Sequence, residues 1–203
     1  MNLKMALTME LKKTRKRSMN KIKLHLGCGH RHLKGFIHVD KDILPHIDYP
    51  NTDLGNLSMF KDSTVDLIYT CGSFEYYDRK EAIEVLKEWK RVLKKGGVLK
   101  ISVPNFASIV KVYKKFNDLD GIGILGPLFG KWKIHDDKFI YHKTVYDQES
   151  LSKMLSKQGF KNIKTYNAHA FLPEGYDDYS AAYVPHGDQN GIPMMLNIWC
   201  RKC

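Results

Sequence analysis

Two apolar runs set the tightest limit on how this chain can fold. Residues 65–71 (VDLIYTC) and 98–103 (VLKISV) are apolar at most positions and rich in β-branched side chains, as strands buried on both faces are. Between them, Ala82, Leu86, Trp89 and Leu93 recur at spacings of three and four, which predicts a helix over 79–95 with one apolar stripe. Asp78, followed three residues later by Glu81, reads as a capping box, and Gly96-Gly97 predict the helix end. Strand, helix and strand in that order call for a right-handed crossover and hence a parallel pair.

The same alternation extends in both directions. Residues 21–26 (KIKLHL) alternate and run into Gly27-Cys28-Gly29, a strand followed by a tight turn. Residues 36–39 (FIHV) read as a second strand ending at Asp40, and a weak third strand falls within 47–53. Helices are predicted over 106–116 and 148–158, the latter capped by Asp147, stopped by Gly159 and buried through Leu151, Met154 and Leu155. Late strands follow at 160–166 and 194–200. The longest apolar run, 121–130 (GIGILGPLFG), is glycine-rich and broken by Pro127. It reads as a loop or lid, and it falls short of the ~18 residues a membrane span needs. The fold class is therefore α/β, a doubly wound and mostly parallel sheet of Rossmann type. Ligands bind such sheets at the carboxyl ends of the strands. That rule selects residues 27–30, Asp40, Asp53, residues 71–77 and Asn105.

Charge and cysteine content narrow the setting. The chain has 203 residues, 33 basic against 22 acidic, and 43% hydrophobic side chains, which excludes a disordered protein and suits one domain. Six basic residues against Glu10 lie within residues 1–18. That segment reads as a basic arm preceding a domain over 19–203, either a handle for nucleic acid or anionic lipid or a solvated tail. Lys4 and Glu10 break any secretory apolar stretch, and the four cysteines (Cys28, Cys71, Cys200, Cys203) are too few for a disulfide scaffold. Together they point to a reducing, cytoplasmic compartment. Cys200 and Cys203 have the spacing of a metal knuckle but lack a second pair, so no metal centre is expected.

Glycines at 27 and 29 allow a sharp turn and close approach to a ligand. A dinucleotide fingerprint would have a third glycine where His32 stands, which argues against NAD. Asp40, eleven residues after Gly29, is placed to accept hydrogen bonds from both hydroxyls of a ribose. KLHLGCGHRHLKGFIHVDKD resembles motif I and the acidic strand of class I S-adenosylmethionine-dependent methyltransferases. Residues 65–106 resemble the fourth strand, helix and fifth strand of the type-11 subgroup, 139–163 its later helix and sixth strand, and MLNIWCRK its antiparallel terminal strand. The likeness covers about 20–203, much of it to a branch of small bacterial methyltransferases linked to surface-polysaccharide synthesis. It implies S-adenosylmethionine as cofactor. Gly27, Cys28 and Gly29 would wrap its methionine, Asp40 its ribose, Asp53 its adenine amino group, Leu54 the ring edge through backbone, and Cys71 its ammonium through backbone.

The chain departs from that branch after the fourth strand. Where relatives read serine-His-x-x-Glu-His, this sequence has Cys71-Gly72-Ser73-Phe74-Glu75-Tyr76, keeping Glu75 and losing both histidines. Candidates for a general base are Glu75, His135 and His142, with His142 favoured because Tyr141-His142-Lys143 resembles the branch's asparagine-Phe-His-Lys segment. Glu75 reads more readily as an anchor for the loop after the fourth strand, or as a cofactor contact, than as a base. The insertion at 169–191, with Asp177-Asp178, His186 and Asp188, is where substrate contacts or a plain surface loop would lie. The expected acceptor is a small molecule or a sugar or polysaccharide precursor methylated on oxygen or nitrogen. The alternatives are an RNA acceptor and a non-catalytic cofactor-binding protein.

Overall fold

The computed structural model describes residues 21–203 apart from Gln189, so the basic arm over 1–18 lies outside the described residues. A six-stranded sheet runs in the order β2-β1-β3-β4-β10-β7. Its strands are β1 (Lys23–Leu26), β2 (Ile37–Val39), β3 (Val65–Cys71), β4 (Leu93–Pro104), β7 (Phe160–Thr165) and β10 (Met195–Lys202). The first four pair in parallel, and β10 runs antiparallel to both β4 and β7. Two small ribbons lie apart from it: β5 (Trp132–Lys133) with β6 (Phe139–Ile140), and β8 (Tyr183–Val184) with β9 (Ile192–Pro193).

Among the described residues, four α-helices accompany the strands: α1 (Glu81–Val92), α2 (Phe106–Phe116), α3 (Leu125–Phe129) and α4 (Gln148–Lys157). Leu86 and Trp89 of α1, with Leu151 and Leu155 of α4, join Leu24, Leu26, Ile68, Leu99 and Ile198 in the main core. Each such side chain, fully buried, contributes about 1.5–3 kcal/mol. A second core joins Ile109 and Val112 of α2 to Ile124, Val184, Ile192 and Met194. A third gathers Leu33, Tyr69 and Cys71 under Phe171, Leu172 and Tyr176. The β1–β2 connection carries no helix, so the segment after β7 reaches back across the sheet to cover Tyr69 and Cys71. Among the described residues no helix is long and apolar enough to cross a membrane.

Three local expectations are corrected. The capping box forms between Asp78 and Glu81, yet α1 ends at Val92 rather than at Gly96-Gly97. Leu93 is fully buried and pairs with Val65, which pulls the chain into the sheet before the glycines are reached. Gly96, at φ +77°, instead serves an irregularity in β4 where the register slips between Val65 and Leu67. The weak third strand reduces to one bridge, Val39 to Tyr49, because Pro50 has no N–H to extend a ladder. Within 121–130 a short helix, α3, forms despite Pro127, which sits in the first turn where no helical N–H is needed.

Candidate active site

The strand exits bring the motif residues together. Gly27 turns at φ +67°, and a Cβ there would lie 2.5 Å from Cβ of Ser73, so the turn packs bare backbone against the loop after β3. Gly29 N–H donates to Asp40 Oδ2 at 2.7 Å, and Asp42 N–H donates to Asp40 Oδ1 at 2.8 Å. Asp40 thus braces the glycine turn with one oxygen and its own loop with the other. Cys28 is buried beside it. Burial first, then the charge of Asp40, push its thiol well up, so it stays protonated and is no nucleophile. Asp53 accepts from Gly55 N–H at 2.8 Å and Tyr77 O–H at 3.0 Å, and pairs with Lys41 Nζ at 2.8 Å. Burial opposes its ionisation, but these partners win and hold it below the usual carboxylate range. The Leu54 carbonyl accepts from Trp89 Nε1–H at 2.7 Å, and its side chain is buried in the main core.

At the exit of β3, Cys71 Sγ donates to the Asp178 carbonyl at 3.0 Å. Gly72 sits at φ +64°, a conformation that the histidine of the resembling branch would adopt only with strain. The turn Phe74–Tyr76 then buries Glu75 at 1% exposure. Neither Glu75 carboxyl oxygen has a hydrogen-bond partner among the described residues, and His142 Nε2 stands 3.6 Å from one of them. Burial pushes Glu75 up to about 8 and His142 down. His142 Nδ1 lies 3.1 Å from the Pro127 carbonyl, which can only accept, so Nδ1 carries the proton and Nε2 turns its lone pair to Glu75. At neutral pH the pair is a protonated carboxyl facing a neutral imidazole. Tyr76 packs edge-on against the His142 ring and donates its O–H to the Gly130 carbonyl at 2.8 Å. Lys143 N–H donates to the Glu75 carbonyl at 2.9 Å. The segment carrying α3, β5 and β6 is thereby held to the β3 exit. His135 lies in that segment, in the turn His135–Asp137.

A second group reaches the site from the far end of the chain. Tyr69 O–H donates to Asp178 Oδ2 at 2.5 Å, and Ser180 N–H donates to Asp178 Oδ1 at 3.1 Å. Ser102 bonds the Tyr166 hydroxyl and the side-chain oxygen of Asn197, whose Nδ2 donates to the Ser180 carbonyl at 2.9 Å. Asp178 belongs to the acidic pair visible in the insertion, but nothing in the local pattern marks Tyr69 or Tyr176 as its neighbours. His186 and Asp188 lie in the turn between β8 and β9. A cleft of about 290 Å³ opens beside this network, lined by Asn105, Gln148, Tyr166, Ser180, Tyr183 and Asn197 among others. Ala168, Pro193, Met195 and Leu196 line it as well, so its wall mixes neutral hydrogen-bonding groups with apolar surface. A larger, open depression on the outer surface of α4 holds none of the motif residues.

Residues 24–101, from β1 into β4, match the methyltransferase-domain family. No protein of curated function matches the chain in sequence. A S-adenosylmethionine-dependent methyltransferase structure from Archaeoglobus fulgidus superposes with a TM-score of 0.55 at 17% identity, over 95% of this chain and 94% of that one. A putative S-adenosylmethionine-dependent methyltransferase from Listeria monocytogenes does so at 0.51 and 18% identity, over 96% and 97%. The 1,6-didemethyltoxoflavin-N1-methyltransferase of Burkholderia thailandensis does so at 0.50 and 13% identity, over 89% and 70%. Such identities speak for the fold, which is that of the class I methyltransferases. Residues 24–101 thus carry the match to a methyltransferase domain, within a chain whose fold is that class's.

Proposed function

We propose that the protein transfers the methyl group of S-adenosylmethionine to an oxygen or nitrogen of a small hydroxyl-rich acceptor, a sugar or polysaccharide precursor. The observation that carries the acceptor class is the 290 Å³ cleft at the carboxyl end of β4, whose amide and hydroxyl groups stand beside Pro193, Met195 and Leu196, a mixture that suits a ring with hydroxyls on its rim and C–H groups on its face.

The residues at the strand exits fit the cofactor by their chemistry. Asp40 and Asp53 are acceptors suited to ribose hydroxyls and an adenine amino group. The bare turn at 27–29 leaves backbone for the methionine part, and the exit of β3 at Cys71 offers backbone to its ammonium. When bound, S-adenosylmethionine supplies a methyl already activated on a sulfonium. The protein then has chiefly to hold the acceptor in line and exclude water. An acceptor hydroxyl must also lose its proton as its oxygen bonds the methyl carbon. His142 Nε2, neutral and lone-pair-bearing, is the group suited to receive it once it turns from Glu75 to the acceptor, with the Pro127 carbonyl orienting the ring through Nδ1. Both are buried beneath Gly130 and Tyr76, so this role needs the α3–β6 segment to shift when the acceptor binds.

Calorimetry of the purified chain with S-adenosylmethionine, S-adenosylhomocysteine and NAD tests the cofactor. Binding of the first two and not the third is expected, and folded protein that binds neither overturns the reading. Incubation with radiolabelled S-adenosylmethionine and a panel of nucleotide sugars, set against structured RNA, then tests the acceptor. Transfer to RNA alone overturns the sugar assignment.

A further inference from the structure

The phenol oxygen of Tyr176 is buried and has no hydrogen-bond partner among the described residues. The ring is packed against the core of Leu33, Tyr69 and Cys71. Its immediate backbone is fixed as well. Tyr176 N–H donates to the Pro173 carbonyl at 3.1 Å, and Asp178 two residues on is tied down by Tyr69, Ser180 and Cys71. Asp178 and Arg31 are the charged groups near the phenol, and the thiols of Cys28 and Cys71 are its neutral neighbours. Cys28 belongs to the glycine turn and Cys71 to the exit of β3. The ring therefore packs at the exit of β3 with Cys28 of the glycine turn nearby, brought there by a segment more than a hundred residues later in the chain.

The ionisation state restricts what this hydroxyl can do. Burial first, then Asp178, push its pKa well above that of an ordinary tyrosine, so it is a neutral donor and no base. Beside it, Arg31 is tied to the glycine turn, its N–H donating to the Cys28 carbonyl at 2.9 Å. The Arg31 guanidinium lies over the Tyr179 ring at 5.3 Å, and no carboxylate of the described residues pairs with it. A guanidinium without a counterion and a phenol without an acceptor are thus neighbours, since Tyr179 under the guanidinium is three residues from Tyr176. Both seek the same complement, a carboxylate.

We propose that Tyr176 and Arg31 form a seat for the carboxylate of the methionine end of the cofactor, with the Tyr176 O–H donating to one of its oxygens. This rests on the S-adenosylmethionine reading above. It makes the insertion after β7 part of the cofactor site as well as of the acceptor side. The buried phenol then has its partner only when ligand is present, which couples closure of the 167–182 segment to cofactor occupancy.

The test uses the full chain and two ligands that differ in the amino-acid end, S-adenosylhomocysteine and 5′-methylthioadenosine. In calorimetry, Tyr176→Phe is expected to weaken S-adenosylhomocysteine roughly tenfold, the loss of one charge-assisted hydrogen bond, and to leave methylthioadenosine unchanged. Arg31→Gln should show the same selectivity. The melting temperature of Tyr176→Phe should be unchanged or higher, since the hydroxyl satisfies nothing within the protein. Wild-type affinity for S-adenosylhomocysteine in Tyr176→Phe, an equal loss for both ligands, or a lowered melting temperature would each overturn the seat. A wild-type chain that binds neither ligand overturns the cofactor reading itself, and the seat with it.

Discussion

Asp40 holds the Gly29 and Asp42 N–H groups at 2.7 and 2.8 Å, so it shapes the glycine turn before any ligand arrives. Asp40→Ala should therefore weaken S-adenosylhomocysteine binding by about 1–3 kcal/mol and lower the melting temperature as well. Calorimetry beside a thermal melt checks both, and unchanged affinity refutes the role. Glu75 makes the opposite case, a carboxyl whose protonated form the fold prefers. Above about pH 4.5 the unfolded chain ionises it, while the folded chain keeps the proton to about 8. Its contribution to stability is thus present at low pH and lost as pH rises through that window, at up to about 1.4 kcal/mol per unit. The stability advantage of Glu75→Gln over the parent should grow from pH 5 to 8, and a difference constant with pH would refute the assignment. Gly27, Gly29 and Asp40 are legible in sequence because backbone geometry demands glycine at a tight turn and an acid ends the next strand. Tyr176 is not, since nothing near it in the chain says which strand exit it will face.

At the scale of elements, β1, β2 and the loops beside them stack four histidines. The ring of His25 lies 5.5 Å from that of His38, His38 lies 4.9 Å from His32, and His46 lies 5.7 Å from His38. Burial first, then the charges of His38 and His46, depress His25 to about 3. A histidine kept neutral in the fold and protonated in the unfolded chain adds stability above its ordinary pKa of about 6.5, lost as pH falls below that value. His25→Phe, which keeps a ring against Tyr69, should flatten the acid limb of a stability-versus-pH curve by up to about 1.4 kcal/mol per unit between roughly pH 6 and 4. The alternation KIKLHL shows that β1 exists but not that His25 meets the ring of His38, nor that His32 and His46 stand behind it, because those come from other segments. The 167–182 segment obeys the same logic. Tyr69→Phe leaves the buried Asp178 oxygen without its donor and should cost about 1–3 kcal/mol. Hydrogen exchange should then rise over 167–182 and stay unchanged in β1, and equal exchange everywhere would show that Tyr69 does not pin the segment.

At the scale of the whole molecule, the alternation of strands and helices and the parallel pairing follow from patterns written locally. Period-two or continuous apolar runs, stripes at three and four, and glycine or proline at the ends are forced by backbone geometry, so VDLIYTC, VLKISV and the 79–95 stripe announced a doubly wound sheet. Even there, the end of α1 was decided by pairing of Leu93 with Val65, a contact with sequence separation that local glycines could not foresee. The chain alone thus determined the fold class, the turn at 27–29 and the acids that attend it. Only the tertiary structure decided that no helix follows β1, that the segment after β7 fills the space by closing on Tyr69 and Cys71, and that Tyr176, Arg31, Glu75 and His142 each find a neighbour there. Local patterns record what a residue does within its own turn or strand. Which buried donors meet which acceptors depends on the folding together of distant segments, and no local spacing encodes that.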